Sequence, residues 1–291
     1  MSRPLSGDVP RWIDIDWEPF IHNRLVNERR IRYVDYGSGP ALVLLHGLAA
    51  SWQWWLENIP SLGQHHRVIA IDLPGFGNSE PLPPPADISI HARIVDNLLD
   101  QIDVQSATIA GHSMGGLVAL QMATAHRERV RDLVLVCAGG APMSERRLKT
   151  VLVVIRLFCS ILRRDFMCRL LTTKPWARRL FLRAGFRDPG VLSPELAIQA
   201  MPSFNAPGLV DAVAASGRAV RQCVPEKVWC PVLLVWGEHD PLVPVHCARD
   251  LHAKLPDSEL VIFSDAGHTP PIECPQRFND AILAFTAANP R

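Results

Sequence analysis

The 291-residue chain has no surplus of either charge: 30 Lys and Arg stand against 29 Asp and Glu, a formal net charge of +1. Such a balance gives no whole-surface attraction to nucleic acid. No basic–aromatic module or zinc-finger spacing supplies a local one, so no nucleic-acid partner is expected. No two cysteines are spaced CxxC, and the seven present are odd in number and scattered from Cys137 to Cys274. That argues against a disulfide framework and for reduced, buried thiols of a cytoplasmic protein. A long apolar run is missing too. The longest, Val151 to Leu162, is broken by Arg156 and followed by Arg163 and Arg164, whereas a membrane span takes about 20 nearly uninterrupted apolar residues. The opening MSRPLSGDVPRWIDIDWEP carries charges and prolines where a signal peptide needs an apolar stretch, so no targeting is expected. Internal repeats are absent as well.

What is present is a large globular core. Hydrophobic residues make up 48% of the chain and charged residues 20%, enough for one large α/β domain with an insertion. Arg24–Val26 and Arg30–Tyr36 flank the polar pair Asn27-Glu28 and predict a hairpin. Six short apolar runs follow, Ala41–Leu45, Val68–Ile71, Ala107–Ala110, Asp132–Cys137, Val232–Trp236 and Leu260–Phe263. Continuous runs of this length suit strands covered on both faces. Helical patterns at Ser89–Ile102 and Leu117–His126 alternate with them, which predicts a doubly wound, mostly parallel sheet. In such sheets reactive groups collect beyond the carboxyl ends of the strands. His46-Gly47, Ser113, Asp240 and His268 all fall there.

The alternation lapses between about 141 and 225, where prolines punctuate helical segments. Residues 142–225 hold 14 Lys and Arg against 5 Asp and Glu, a balance of +9, so the remainder of the chain sums to −8. We read 141–225 as an inserted helical lid and 1–140 with 226–291 as the core.

Ser113 sits in Gly111-His112-Ser113-Met114-Gly115, where a strand run hands over to a helical one. A sharp strand-to-helix turn that projects a side chain needs small neighbours two positions away on each side, and the helix then aims free N–H groups at the same point. The pentapeptide also arises by chance in glycine-rich turns; its context and partners decide. A serine hydroxyl needs a base, and the base needs a carboxylate. His268, in DAGHTPP after the last strand run, is the candidate base. His65, His66, His91, His126 and His252 read as surface or helix positions, and His46 as a structural hydrogen-bonding residue. His112 is expected to pack beneath the turn and to contact substrate. Asp240, in GEHDPLVP, is the candidate carboxylate, with Glu238 and Asp265 as rivals. The order Ser113, Asp240, His268 is that of the nucleophile-elbow hydrolases. The backbone N–H groups of Met114 and Leu48 are the candidate oxyanion donors. Trp52, Trp54 and Trp55 are expected in the core and pocket wall, with Trp52 as the substrate contact.

LLHG (44–47), DLPGFGNS (72–79), GHSMGG (111–116), WGEHDPLVP (236–244) and AGHTPPIECP (266–275) together resemble the α/β-hydrolase superfamily over nearly the whole chain. Ser113 at the elbow separates the sequence from epoxide hydrolases and haloalkane dehalogenases, which the resemblance would give an aspartate there. His112 and HGLAA depart from the asparagine and HGxGPG of meta-cleavage C–C hydrolases, and GHSMG from the GGSWG of proline iminopeptidases. The elbow is most similar to carboxylesterases and monoacylglycerol-lipase-like enzymes.

The resemblance implies a serine hydrolase of carboxylic esters, including lipophilic ones, with no cofactor and no metal. C–C hydrolysis, a cofactor-free haloperoxidase-like activity, acyl transfer and a ligand receptor on the same fold stay open as alternatives. The lid mixes apolar stretches with arginines, which suits either helices with solvated basic faces or peripheral contact with a lipid surface.

Overall fold

The computed structural model describes residues 9–139, 153, 157, 165–222 and 224–290. Eight strands form one sheet: β1 (Ile21–Val26), β2 (Arg29–Gly37), β3 (Ala41–Leu45), β4 (Arg67–Ile71), β5 (Ala107–His112), β6 (Val130–Val136), β7 (Val232–Gly237) and β8 (Ser258–Phe263). Their order is β1-β2-β4-β3-β5-β6-β7-β8. The first three in that order pair antiparallel and the rest pair parallel. The expected doubly wound architecture is therefore present.

Side chains on a strand alternate between faces, and here each face has its own core. Val43 and Leu45 of β3, with Leu133 and Leu135 of β6, join one apolar cluster, while Leu42, Leu44, Val134 and Val136 join the other. Both sets are completely buried, which is why these strands read as unbroken apolar runs rather than as alternating ones.

Helices α1 (Ile88–Gln101) and α2 (Met114–Ala125) cover the first face. The second is covered by the single-turn 3-10 helix Trp52–Trp55 and by the C-terminal helix Pro275–Ala288. Between β6 and β7 lie the helices Asp165–Thr173, Pro175–Phe181, Pro194–Ala200 and Leu209–Gln222. We label them α3, α4, α5 and α6; α7 (Val245–His252) and α8 (Pro275–Ala288) follow in the core. Met167, Leu171, Leu196 and Ala197 pack into the second cluster, whereas Leu209, Ala212 and Val213 pack into the first. The insertion thus reaches both apolar layers. The first part of its expected span, and most of the run Val151–Leu162, lies outside the described residues; Val153 and Leu157 are helical. Among the described residues no helix is long and apolar enough to cross a membrane.

Candidate active site

Ser113 caps β5 with φ +53° and ψ −115°, a conformation that costs a non-glycine residue roughly 1–3 kcal/mol. The surrounding structure holds it there. Its N–H donates to the Val136 carbonyl at 2.9 Å, and its carbonyl accepts from Gly116 at 3.0 Å. A Cβ on Gly111 would overlap the Gly115 carbonyl, and one on Gly115 would overlap the Leu45 carbonyl. Both glycines are therefore there for close approach, with no space for a side chain. The half-buried serine hydroxyl is left at the N-terminus of α2, whose unpaired amides and dipole favour negative charge.

The structure brings the three expected side chains together. Ser113 Oγ lies 3.0 Å from His268 Nε2, and His268 Nδ1 lies 2.7 Å from Asp240 Oδ2. Asp240 and His268 are each 5% exposed. Asp240 Oδ1 accepts the N–H groups of Leu242 and Val243 at 2.8 and 2.9 Å, so the turn after β7 fixes the carboxylate before the imidazole meets it. A carboxylate on Nδ1 stabilises the tautomer with Nδ1–H and a bare Nε2, the form able to take the serine proton. The two rivals are placed elsewhere. Glu238 is exposed, and Asp265 is exposed in an ion pair with Arg277.

Cys137 lies behind the dyad, its thiol 3.9 Å from the Gly267 carbonyl. Burial first, and then the charge of Asp240, push the thiol pKa well up, so the sulfur stays protonated and inert. Cys137, Asp240 and His268 offer metal-donor atoms within 4.8 Å of one another. Both carboxylate oxygens and Nδ1 are already engaged in the hydrogen bonds above, so a cation there would have to dismantle them.

The two expected substrate contacts are placed differently by the structure. His112 is 7% exposed, and its Nε2 donates to the His268 carbonyl at 2.7 Å. Burial and then the neighbouring His268 hold its pKa down to about 3, so it is a neutral prop under the base. Trp52 is 3% exposed, with its ring 5.4 Å from Trp17, which makes it core. Its neighbour Trp54 is half-buried and faces the insertion instead. It stacks on Phe186 at 6.0 Å and donates to Ser203 Oγ at 3.3 Å, both on the insertion. Together with His46, His112 and Thr269 it lines a cavity.

The loop after β3 is tied down on three sides. His46 Nδ1 donates to the Gly47 carbonyl at 2.8 Å, while its Nε2 accepts the Leu73 N–H at 3.0 Å. Burial brings the His46 pKa down to about 4, which keeps this bidentate role available. Asp72 accepts the Trp52 and Asn78 N–H groups at 2.8 and 2.9 Å. Ser203 Oγ donates to the Ala49 carbonyl at 2.7 Å. Among the described residues the N–H groups of Leu48 and Met114 have no hydrogen-bond acceptor.

Sequence reasoning missed Glu273. Its Oε1 accepts the Gly267 and Thr269 N–H groups at 2.9 and 3.2 Å, and its Oε2 accepts the Arg187 N–H at 2.8 Å. Thr269 Oγ1 donates to the Gly185 carbonyl at 2.8 Å. One carboxylate therefore clamps the His268 loop and fastens it to the insertion. Burial raises its pKa despite the donors around it. No local signal marks it, because an acid in a loop reads as an exposed charge.

A family model described as "alpha/beta hydrolase fold" matches residues 40–156 and 167–275. The chain belongs to this family. An uncharacterized protein of Mycobacterium tuberculosis is 33% identical over 285 residues, covering 92% of this chain and 81% of the relative. A pimeloyl-[acyl-carrier protein] methyl ester esterase of Vibrio vulnificus is 30% identical over 260 residues, covering 88% and 97%. Among solved structures, a thermophilic esterase from Thermogutta terrifontis superposes with a TM-score of 0.74 at 25% identity, covering 92% of this chain and 98% of that one.

Proposed function

We propose that this α/β-hydrolase family member is a serine hydrolase that cleaves carboxylic esters through an acyl-enzyme. The observation that carries the reading is the unbroken relay of 3.0 and 2.7 Å from Ser113 through His268 to Asp240. Ser113 Oγ attacks the ester carbonyl as His268 Nε2 takes its proton. The oxyanion is received by the N–H groups of Leu48 and Met114, fixed donors that need no reorganisation as charge develops. Asp240 holds the imidazolium through Nδ1–H. Collapse of the tetrahedral intermediate returns the proton to the departing alcohol, and water repeats the sequence in reverse to free the acid. Trp54, Phe186 and Phe204 offer an aromatic wall between core and insertion, which suits an apolar acyl or alcohol group. The esterase names of two of the relatives are consistent with this reading.

Labelling with a fluorophosphonate probe and hydrolysis of p-nitrophenyl esters of graded acyl length test the proposal. Ser113→Ala is expected to lose both the label and at least a thousandfold of the turnover. Label or turnover retained in that variant overturns the assignment. Turnover confined to a vinylogous diketone, or acyl transfer to an added alcohol in place of hydrolysis, would replace the ester reading with C–C cleavage or transferase chemistry.

A further inference from the structure

Large apolar side chains exposed to solvent concentrate on the insertion. On α3 Phe166 is 70% exposed, and on α4 Trp176 is 56% and Leu180 61% exposed. Trp176 and Leu180 are four residues apart and so share one face of α4. Opposite them Ala177 and Arg178 are buried, and on α3 Met167 and Leu171 are buried in the second apolar cluster. Both helices therefore bury one face against the core and leave large apolar side chains on the other. Arg169, Lys174, Arg179 and Arg183 are exposed among these side chains. Of the four, Arg179 has an acidic partner, Asp188, at 3.3 Å in a pair exposed on both sides. From 165 to 187 the sequence holds six Lys and Arg and one acid.

Solvent-facing aromatic and aliphatic groups ringed by cations on short helices are costly in water. They are matched by one kind of surface, in which apolar side chains enter the acyl boundary while the cations meet anionic headgroups. We propose that the outer face of α3 and α4 docks this protein on anionic lipid bilayers. The charge distribution argues for lipid over a protein partner. The stretch that bears the exposed apolar groups, residues 165–187, holds six Lys and Arg against one acid, so an anionic plane attracts this face.

Docking also has a structural route to the site. Four residues beyond α4, the Gly185 carbonyl accepts from Thr269 and the Arg187 N–H donates to Glu273, while Phe186 between them stacks on Trp54. The helix that meets the bilayer is thus continuous with the strap on the His268 loop. Given the ester-hydrolase reading, on which this clause alone rests, the substrates would be esters of lipids taken from the bilayer.

Sedimentation with vesicles tests the docking without any turnover, using the full chain and its Ser113→Ala variant. Both are expected to sediment with vesicles of phosphatidylglycerol and phosphatidylcholine, and neither with phosphatidylcholine alone. Binding should weaken by roughly 25-fold in R169Q/R183Q, at about fivefold per cation lost. It should weaken at least tenfold in W176S/L180S, and 0.5 M salt should release the unmodified protein. Hydrolysis of a soluble short ester by W176S/L180S should match that of the unmodified protein. Absence of sedimentation at low salt, equal binding to both vesicle types, or indifference to both double variants overturns the proposal. The salt arm needs no variant and stands even if one fails to fold. Inactivity towards every ester alongside specific sedimentation would remove the hydrolase reading and leave the docking intact.

Discussion

Acidification from pH 7 to pH 5 is expected to destabilise this fold by an amount set mainly by three buried histidines. His46 and His91 have pKa values held down to about 4, and His112 to about 3, burial being the largest cause in each. In the unfolded chain each returns to an ordinary value near 6.5. Between that value and the folded one the unfolded state binds the extra proton and the native state does not, so stability falls as the pH drops. By linkage each histidine contributes a loss of about 2 kcal/mol between pH 7 and pH 5, and the three together roughly 5–6 kcal/mol.

Asp72 works in the opposite direction. Its pKa is raised from 3.8 to about 6 by burial, so in this window the native state takes up the proton first and gains about 1 kcal/mol as the pH falls. The net loss of roughly 4 kcal/mol is a large share of an ordinary domain stability of about 5–15 kcal/mol. Urea unfolding at the two pH values reads it directly: with a slope of about 3 kcal/mol/M the midpoint should fall by more than 1 M at pH 5. His91 is the position at which to dissect the effect, because among the described residues its Nδ1 has no hydrogen-bond partner, and it lies outside the serine–histidine–aspartate relay. His91→Asn should reduce the pH-dependent loss by about 2 kcal/mol. A midpoint that is unchanged between pH 7 and pH 5, or a variant that follows the same pH curve, would refute the reasoning.

Two further outcomes follow from the geometry of the relay. Glu273→Ala removes the acceptor that shapes the His268 loop, and is expected to lower kcat on a short ester about 100-fold, the scale associated with ångström misplacement of a catalytic group. Glu273→Gln, which can keep the Gly267 and Thr269 bonds through its one carbonyl oxygen, should recover most of kcat; a Glu273→Ala enzyme with unaltered kcat would show that the loop holds its shape unaided. Gly115→Ala drives a methyl into the backbone carbonyl of Leu45, and an overpacked site that cannot relax costs about 3 kcal/mol. Calorimetry should find a Tm lower by roughly 6 °C or more, and a normal Tm would mean that β3 moves aside.

Most of the sheet was legible because a strand buried on two faces carries a sequence signal that little else produces. Ala41–Leu45 reads as a strand and is one to the residue. β8 starts at Ser258, two residues before its apolar run, because a strand at the sheet edge tolerates Ser258 and Glu259 where an inner strand would not. α2 begins at Met114 rather than Leu117 for a different reason. Its first turn contains Gly115 and Gly116, poor helix formers that this turn needs for clearance from β3 and Ala138. There, tertiary packing overrides propensity.

The serine, the aspartate and the histidine were legible because each ends a strand, and the ends of parallel strands converge whatever the loops do. The supporting residues obey no such rule. His66 and His91 look like polar residues of a loop and a helix, yet they are 5% and 1% exposed. Nothing local distinguishes Trp52 from Trp54: a 3-10 turn, with three residues per turn, aims neighbouring side chains in different directions, one into the core and one toward the insertion. Glu273 is the clearest case, for its donors come from its own loop and from Arg187, 86 positions away. A carboxylate reads as a surface charge until the chain that buries it is in place. The serine–histidine–aspartate relay is thus written at strand ends, whereas what holds it steady depends on contacts made only after folding.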